Sequence, residues 1–228
     1  MNEYTFTDNK KSCIILAVLF WGLLQFFEFG AGLLLKLFPR DLLIEYIDPV
    51  FYGTFFLVAV IVFRKVFWSA IKDFIRNIES CAKWSAILFF VTLVLMVASA
   101  IILDSFGIGD SSNQEAIDSA LKQYGVLQLI TVCLIGPVVE EVMYRGILFG
   151  ALQGKEKRLA RSMAAILITA LVFAFMHCSF VNFSVQDLLA NIPILMLGLT
   201  LTTLRWKTDN ILCPIIVHVL VNTIGSLG

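Results

Sequence analysis

Apolar residues gather along this chain into seven segments, each long enough to span or nearly span a bilayer at roughly 20 residues per crossing. They run over Ser12–Leu37, Pro49–Trp68, Trp84–Leu103, Tyr124–Gln153, Ser162–Cys178, Leu188–Leu204 and Ile211–Leu227. Polar residues and turn formers collect between them, at Pro39-Arg40-Asp41, at Gly107 to Asn113 and at Lys207-Thr208-Asp209-Asn210. The pattern predicts an all-α polytopic transmembrane helix bundle of about seven spans. An eighth helix, from Ala70–Ile78, would lie flat on the membrane, because a true span there would invert the charge pattern downstream. Pro193 and Pro214 fall within or at the start of the last two segments, where neighbouring helices can repair the broken backbone bonds.

Basic residues set the expected orientation. Lys10 and Lys11, then Arg64, Lys65, Lys72, Arg76 and Lys83, then Lys155, Lys157, Arg158 and Arg161, then Arg205 and Lys207 all fall on one side, thirteen of the 17 in the chain. Lys36, Arg40 and Lys122 fall on the other, and Arg145 lies within a span. The positive-inside rule then predicts a multi-pass cell-membrane protein with a cytoplasmic N-terminus, an external C-terminus and an external acidic loop over Asp104–Gln123. Composition agrees: 59% hydrophobic and 15% charged residues exceed and undercut the soluble averages of about 45–50% and about 25%. A formal net charge of zero argues against nucleic acid as a partner. Cys13, Cys81, Cys133, Cys178 and Cys213 have no CxxC spacing and read as buried thiols. The first apolar run has no small-residue cleavage site, so it reads as a retained helix.

Ionisable residues inside the spans carry the candidate chemistry, because each costs roughly 2.5–3.5 kcal/mol at membrane depth on insertion scales. The fourth span contains Gly136-Pro137-Val138-Val139-Glu140-Glu141-Val142-Met143-Tyr144-Arg145-Gly146. Glu141 and Arg145 are four apart and can pair on one helix face, while Glu140, about 100° away, has no such local partner. The only two histidines, His177 and His218, also sit in apolar segments, and Asn222 shares a helix face with His218. Glu28 near Gln25, Asn191 and Tyr144 read as packing residues. Two carboxylates, two imidazoles and an amide suit amide hydrolysis, with a glutamate as general base and an imidazole or amide at the oxyanion. A metal site is the rival arrangement, since carboxylate and imidazole both bind zinc, although no HExxH helix is present.

Glu140-Glu141-x-x-x-Arg145, Phe173-x-x-x-His177 and His218-x-x-x-Asn222, on three separate apolar helices, resemble the CPBP family. This is the CAAX prenyl protease type II and bacteriocin-processing (Abi) family of intramembrane endopeptidases. The resemblance divides the chain into residues 1–122, membrane helices with no assigned chemistry, and 123–228, the catalytic helices, within one structural unit. It implies an intramembrane polar cavity opening toward the cytosol, which a peptide or protein substrate enters from the membrane or the cytosol. Glu140 would activate water with His177, His218 and Asn222 would form the oxyanion hole, and Glu141 and Arg145 would orient the site. No cofactor is required by that mechanism. The alternative is a divalent metal such as zinc on Glu140, His177 and His218. Bacterial peptide processing or bacteriocin self-immunity is the implied role, ahead of prenyl-CAAX cleavage. Two other readings compete: a catalytically silent scaffold of the same fold, whose usual sign would be a lost glutamate or histidine, and a transporter, which would favour inverted repeats.

Overall fold

The computed structural model describes residues 11, 13–22, 40–154, 158–179 and 184–226, and these are helical with no strand among them. In chain order the helices are α1 (Cys13–Gly22), α2 (Arg40–Val62), α3 (Arg64–Arg76), α4 (Ile78–Ser105), α5 (Ser112–Ile130), α6 (Gly136–Glu141), α7 (Phe149–Gln153), α8 (Leu159–Phe175), α9 (Val185–Ala190), α10 (Ile192–Thr208) and α11 (Leu212–Gly225). Two π-helical segments, Thr131–Ile135 and Val142–Leu148, join α5, α6 and α7. Three helical stretches are long and apolar enough to cross a membrane: Glu45–Val62, Ile78–Ser105 and Gly125–Gln153. Cys13–Gly22, Leu159–Phe175 and Leu212–Gly225 are shorter apolar helices. The fold is an all-α membrane bundle. Large apolar side chains such as Phe90, Val94 and Ile101 on α4 are about two-thirds exposed, as a lipid-facing surface requires.

Several expected boundaries move. The second span ends at Val62 rather than Trp68, because Phe63 leaves helical geometry and α3 begins a separate amphipathic helix at Arg64. That helix takes the place of the flat eighth helix expected over Ala70–Ile78. The expected loop Asp104–Gln123 is mostly helix: Ser111 caps α5 by accepting a hydrogen bond from the Gln114 amide at 3.3 Å. The sixth span divides at Asn191, and Pro193 opens α10 where its missing N–H costs nothing. Glu28, Gln25 and most of the first span lie outside the described residues.

One core ties the two halves of the chain together. Phe20, Phe51 and Phe55 pack with Val139, Tyr144, Phe173, Leu201 and Val217. Phe20 meets Phe55 edge-on at 5.2 Å, a favourable aromatic geometry. Polar and small residues then set close helix approaches, as they do where lipid removes the hydrophobic drive between helices. The Thr92 hydroxyl on α4 donates to the Thr200 hydroxyl on α10 at 2.7 Å. Gly198 lets α10 approach α8 so closely that a Cβ there would lie 3.2 Å from Ala170 Cα.

Helix length creates the cavity. The helix Gly125–Gln153 runs about 43 Å at 1.5 Å per residue, while the 17 residues of α8 beside it reach only about 26 Å. α8 ends at Phe175, and Ser112, Ala116, Ile117 and Ala120 of α5 line the cavity beside Met176 and His177.

Candidate active site

The backbone around Glu140 is irregular for a local reason. The Gly136 amide reaches back five residues to the Thr131 carbonyl, a π-helical bond. In that register the next amide would bond Val132, but residue 137 is proline and has no N–H. The Asn222 side chain fills the gap, donating from Nδ2 to the Val132 carbonyl at 3.0 Å. A second π bond follows, from the Phe149 amide to the Tyr144 carbonyl. With a widened turn on each side, Glu140 and Tyr144 line the cavity while Glu141 and Arg145 are turned into the protein, both fully buried.

The buried pair is closely held. Arg145 Nη1 donates to Glu141 Oε1 at 2.7 Å, Nε to the Thr202 hydroxyl at 3.2 Å and Nη2 to the Gly198 carbonyl at 3.2 Å. Its guanidinium carbon stands 4.4 Å from the Phe173 ring centre, a cation–π contact. His218 Nδ1 lies 2.8 Å from the same Glu141 oxygen. That contact places the Nδ1 proton toward Glu141 and leaves Nε2 facing Glu140, whose Oε2 is 3.8 Å away. Glu141 Oε2 is buried with no partner among the described residues, so Oε1 serves both Arg145 and His218.

His177 does not stand on α8 as expected. It occupies the turn just beyond it, where Nδ1 lies 2.7 Å from the Phe173 carbonyl. The Nε2 lone pair is thereby left for the cavity. The Phe173 ring forms a floor under both imidazoles, 4.5 Å from His177 and 6.0 Å from His218 between ring centres. Glu140, His177, His218 and Asn222 line one cavity of about 670 Å³, so four of the six residues singled out from sequence share it. Glu141 and Arg145 stand behind them.

Residues from the first half of the chain also reach this cavity, and their role was not anticipated. The Tyr52 hydroxyl on α2 donates to Glu140 Oε1 at 3.3 Å. Asp48, one turn away on the same helix, lines the cavity and accepts from Gln128 Nε2 at 3.3 Å. At the rim, Asp187 accepts hydrogen bonds from the Ser112 hydroxyl and amide and from the Ser179 amide. Burial pushes its pKa up, and these three donors outweigh that and hold it below the usual carboxylate range.

The cavity opens at the end of the bundle that carries few basic residues. Ser112, Ala120, Ser179 and Ser226 line it there, whereas Arg64–Arg76, Arg158, Arg161, Arg205 and Lys207 belong to the opposite end.

Among the described residues no three His, Cys, Asp or Glu side chains are grouped to hold a metal ion, and that includes Glu140, His177 and His218. The chemistry below is therefore derived from the side chains alone.

Residues 122–224 match the family model described as type II CAAX prenyl endopeptidase Rce1-like. The matched stretch covers a little under half of the chain. It contains Glu140, Glu141, Arg145, His177, His218 and Asn222, and it excludes Asp48 and Tyr52, which the preceding helices bring to it. The chain is 29% identical over 175 residues to a Bacillus subtilis (strain 168) protein named "Putative membrane peptidase YdiL". That match covers 74% of this chain and 66% of the relative, just under two thirds of the relative's length. An Escherichia coli protein named "Uncharacterized 24.3 kDa protein" is 28% identical over 103 residues, 45% of this chain and 44% of its own. No solved structure matches the chain.

Proposed function

We propose that this protein is an intramembrane endopeptidase in which Glu140 activates a water molecule against a peptide bond. The observation that carries the reading is the pairing of Glu140 with His218 across 3.8 Å on the wall of a cavity that His177 also lines. A water between them would lie within hydrogen-bond reach of both, the geometry a general base needs. Glu140 takes the proton as the water oxygen bonds to the scissile carbonyl carbon. The second N–H of Asn222 stabilises the oxyanion, the first being held by Val132, while His218 Nε2 accepts a hydrogen bond from the water. The proton that Glu140 has taken passes to the leaving amine as the C–N bond breaks, and the His177 Nε2 lone pair helps to orient the water. Glu141 and Arg145 act through His218: the fully buried pair fixes the imbalance of charge behind the imidazole and its orientation toward the cavity. Tyr52 holds the Glu140 carboxylate in place from the other side.

The Rce1-like match and the likeness to a membrane peptidase support peptidase chemistry over scaffolding or transport. Retention of every ionisable group named in the sequence motifs supports it further. Inserted with its basic face in the cytoplasm, the bundle presents the cavity mouth to the outside. The substrate is then a peptide or protein reaching the membrane from that side, as in the processing of exported peptides. The test is cleavage of a mixed peptide library by purified protein in lipid, read by mass spectrometry with and without a strong chelator. Chelator-insensitive cleavage that depends on His177 and His218 supports the metal-free reading. Cleavage abolished by the chelator and restored by zinc contradicts it.

A further inference from the structure

Asp48 is a carboxylate in a membrane-crossing segment with no cation beside it among the described residues. It lies in Glu45–Val62, where a charge costs roughly 2.5–3.5 kcal/mol on insertion scales. Arg145 neutralises Glu141, but no Lys or Arg is among the described residues that line the cavity, which therefore exposes two carboxylates, Asp48 and Glu140. Asp48 is exposed on the cavity wall, and its recorded polar partner is the Gln128 amide, which donates to Oδ2 and leaves Oδ1 open. Gln128 is itself 3% exposed, lines the same cavity, and its Oε1 has no partner among the described residues. Among the described residues, then, nothing donates to Asp48 Oδ1 or to Gln128 Oε1.

We propose that Asp48 and Gln128 form a subsite that binds a cationic group of the substrate, a lysine or arginine side chain or a terminal ammonium. The subsite deepens the peptidase reading and rests on it for the word substrate. Both acceptors lie on the mouth side of Glu140. Asp48 is one turn, about 6 Å along α2, from the Tyr52 that touches Glu140, and Gln128 is twelve residues before Glu140. An extended peptide advances about 3.3 Å per residue, so a cation on Asp48 places the scissile bond about two to four residues further in. Binding at a fixed distance from Glu140 would set the position of cleavage as well as the choice of peptide. An ammonium or guanidinium would supply the donors that Asp48 Oδ1 and Gln128 Oε1 lack, and charge-assisted hydrogen bonds of this kind are the stronger class.

The experiment measures binding and cleavage separately. Fluorescent peptides that differ only in one lysine, glutamine or glutamate are titrated by anisotropy against full-length Glu140→Gln protein in lipid nanodiscs, each with a free or acetylated N-terminus. The lysine peptide should bind about tenfold or more tighter than its glutamine counterpart, and Asp48→Asn should reduce the ratio to within about twofold. Asp48→Glu should retain the preference, which separates loss of charge from loss of fold. Loss of the preference on acetylation alone would assign the cation to the terminus and still support the subsite. Equal affinity for all charges, a preference unchanged by Asp48→Asn, or binding of none of the peptides would overturn it. Wild-type protein that keeps the Asp48-dependent preference yet cleaves nothing would refute the peptidase reading and leave the subsite supported.

Discussion

Replacing Arg145 with methionine tests whether the buried pair is held as described. The substitution keeps the chain volume close but leaves Glu141 as an unpaired charge in a site with no exposure. It also removes donors to Thr202 and Gly198 and the contact with Phe173. Breaking a buried ion pair by removing one partner costs about 3–5 kcal/mol. For a chain of 150–250 residues, 1 kcal/mol moves the melting temperature by about 2–4 °C, so the expected loss is about 6–20 °C. Cys13, Cys81, Cys133, Cys178 and Cys213 are all buried and outside any disulfide, so a thiol-reactive dye reports unfolding directly. The companion variant Glu141→Gln/Arg145→Met removes the stranded charge and should recover about half of the loss, an interaction energy within the usual 0.5–3 kcal/mol for coupled neighbours. A shift below about 3 °C for Arg145→Met, or no recovery in the double variant, would refute the reasoning.

Three further outcomes are expected. Tyr52→Phe removes a hydrogen bond to a charged group, worth about 1.5–3 kcal/mol, and should lower peptide cleavage about tenfold to a hundredfold, with a melting temperature near wild type. Asp187 has a folded pKa below its unfolded value of about 3.9, so it stabilises the rim above that value and the contribution is lost as pH falls through the folded pKa. Tryptophan-fluorescence melts should therefore show a steeper acid loss of stability in wild type than in Asp187→Asn. Single cysteines in place of exposed Asp110 and Glu79, at opposite ends of the bundle, report orientation in intact cells. An impermeant thiol reagent should label the Asp110 position and spare Glu79, and the reverse pattern would place the cavity mouth in the cytosol.

What could be read from sequence was whatever depended on local spacing. Glu141 and Arg145 at i and i+4, and the rarity of His177 and His218 in an apolar chain, were enough to gather the site residues. What depended on register or on distant packing was not readable. A 3.6-residue period gives no hint of two π segments, so the missing N–H of Pro137 and its replacement by Asn222 remained hidden. Tyr52 looks like any aromatic residue in a span, and Asp48 stood just outside the apolar run taken as the second span. Only the packing of α2 against α5 and α6 gives these residues a role. The position of the cavity followed from where α8 ends: the hydropathy pattern placed this segment three residues too far along, at Ser162–Cys178, whereas the helix runs over Leu159–Phe175.

The central claim is that Glu140 is the base that delivers water to the peptide bond. Purified wild-type protein and Glu140→Gln, matched for melting temperature, are incubated with a cleavable peptide in water enriched in oxygen-18, and the products are weighed by mass spectrometry. The account predicts one heavy oxygen in each new carboxylate made by the wild type and no product above background from Glu140→Gln, since the swap keeps the shape and removes the base. Cleavage by Glu140→Gln at the wild-type rate would contradict it.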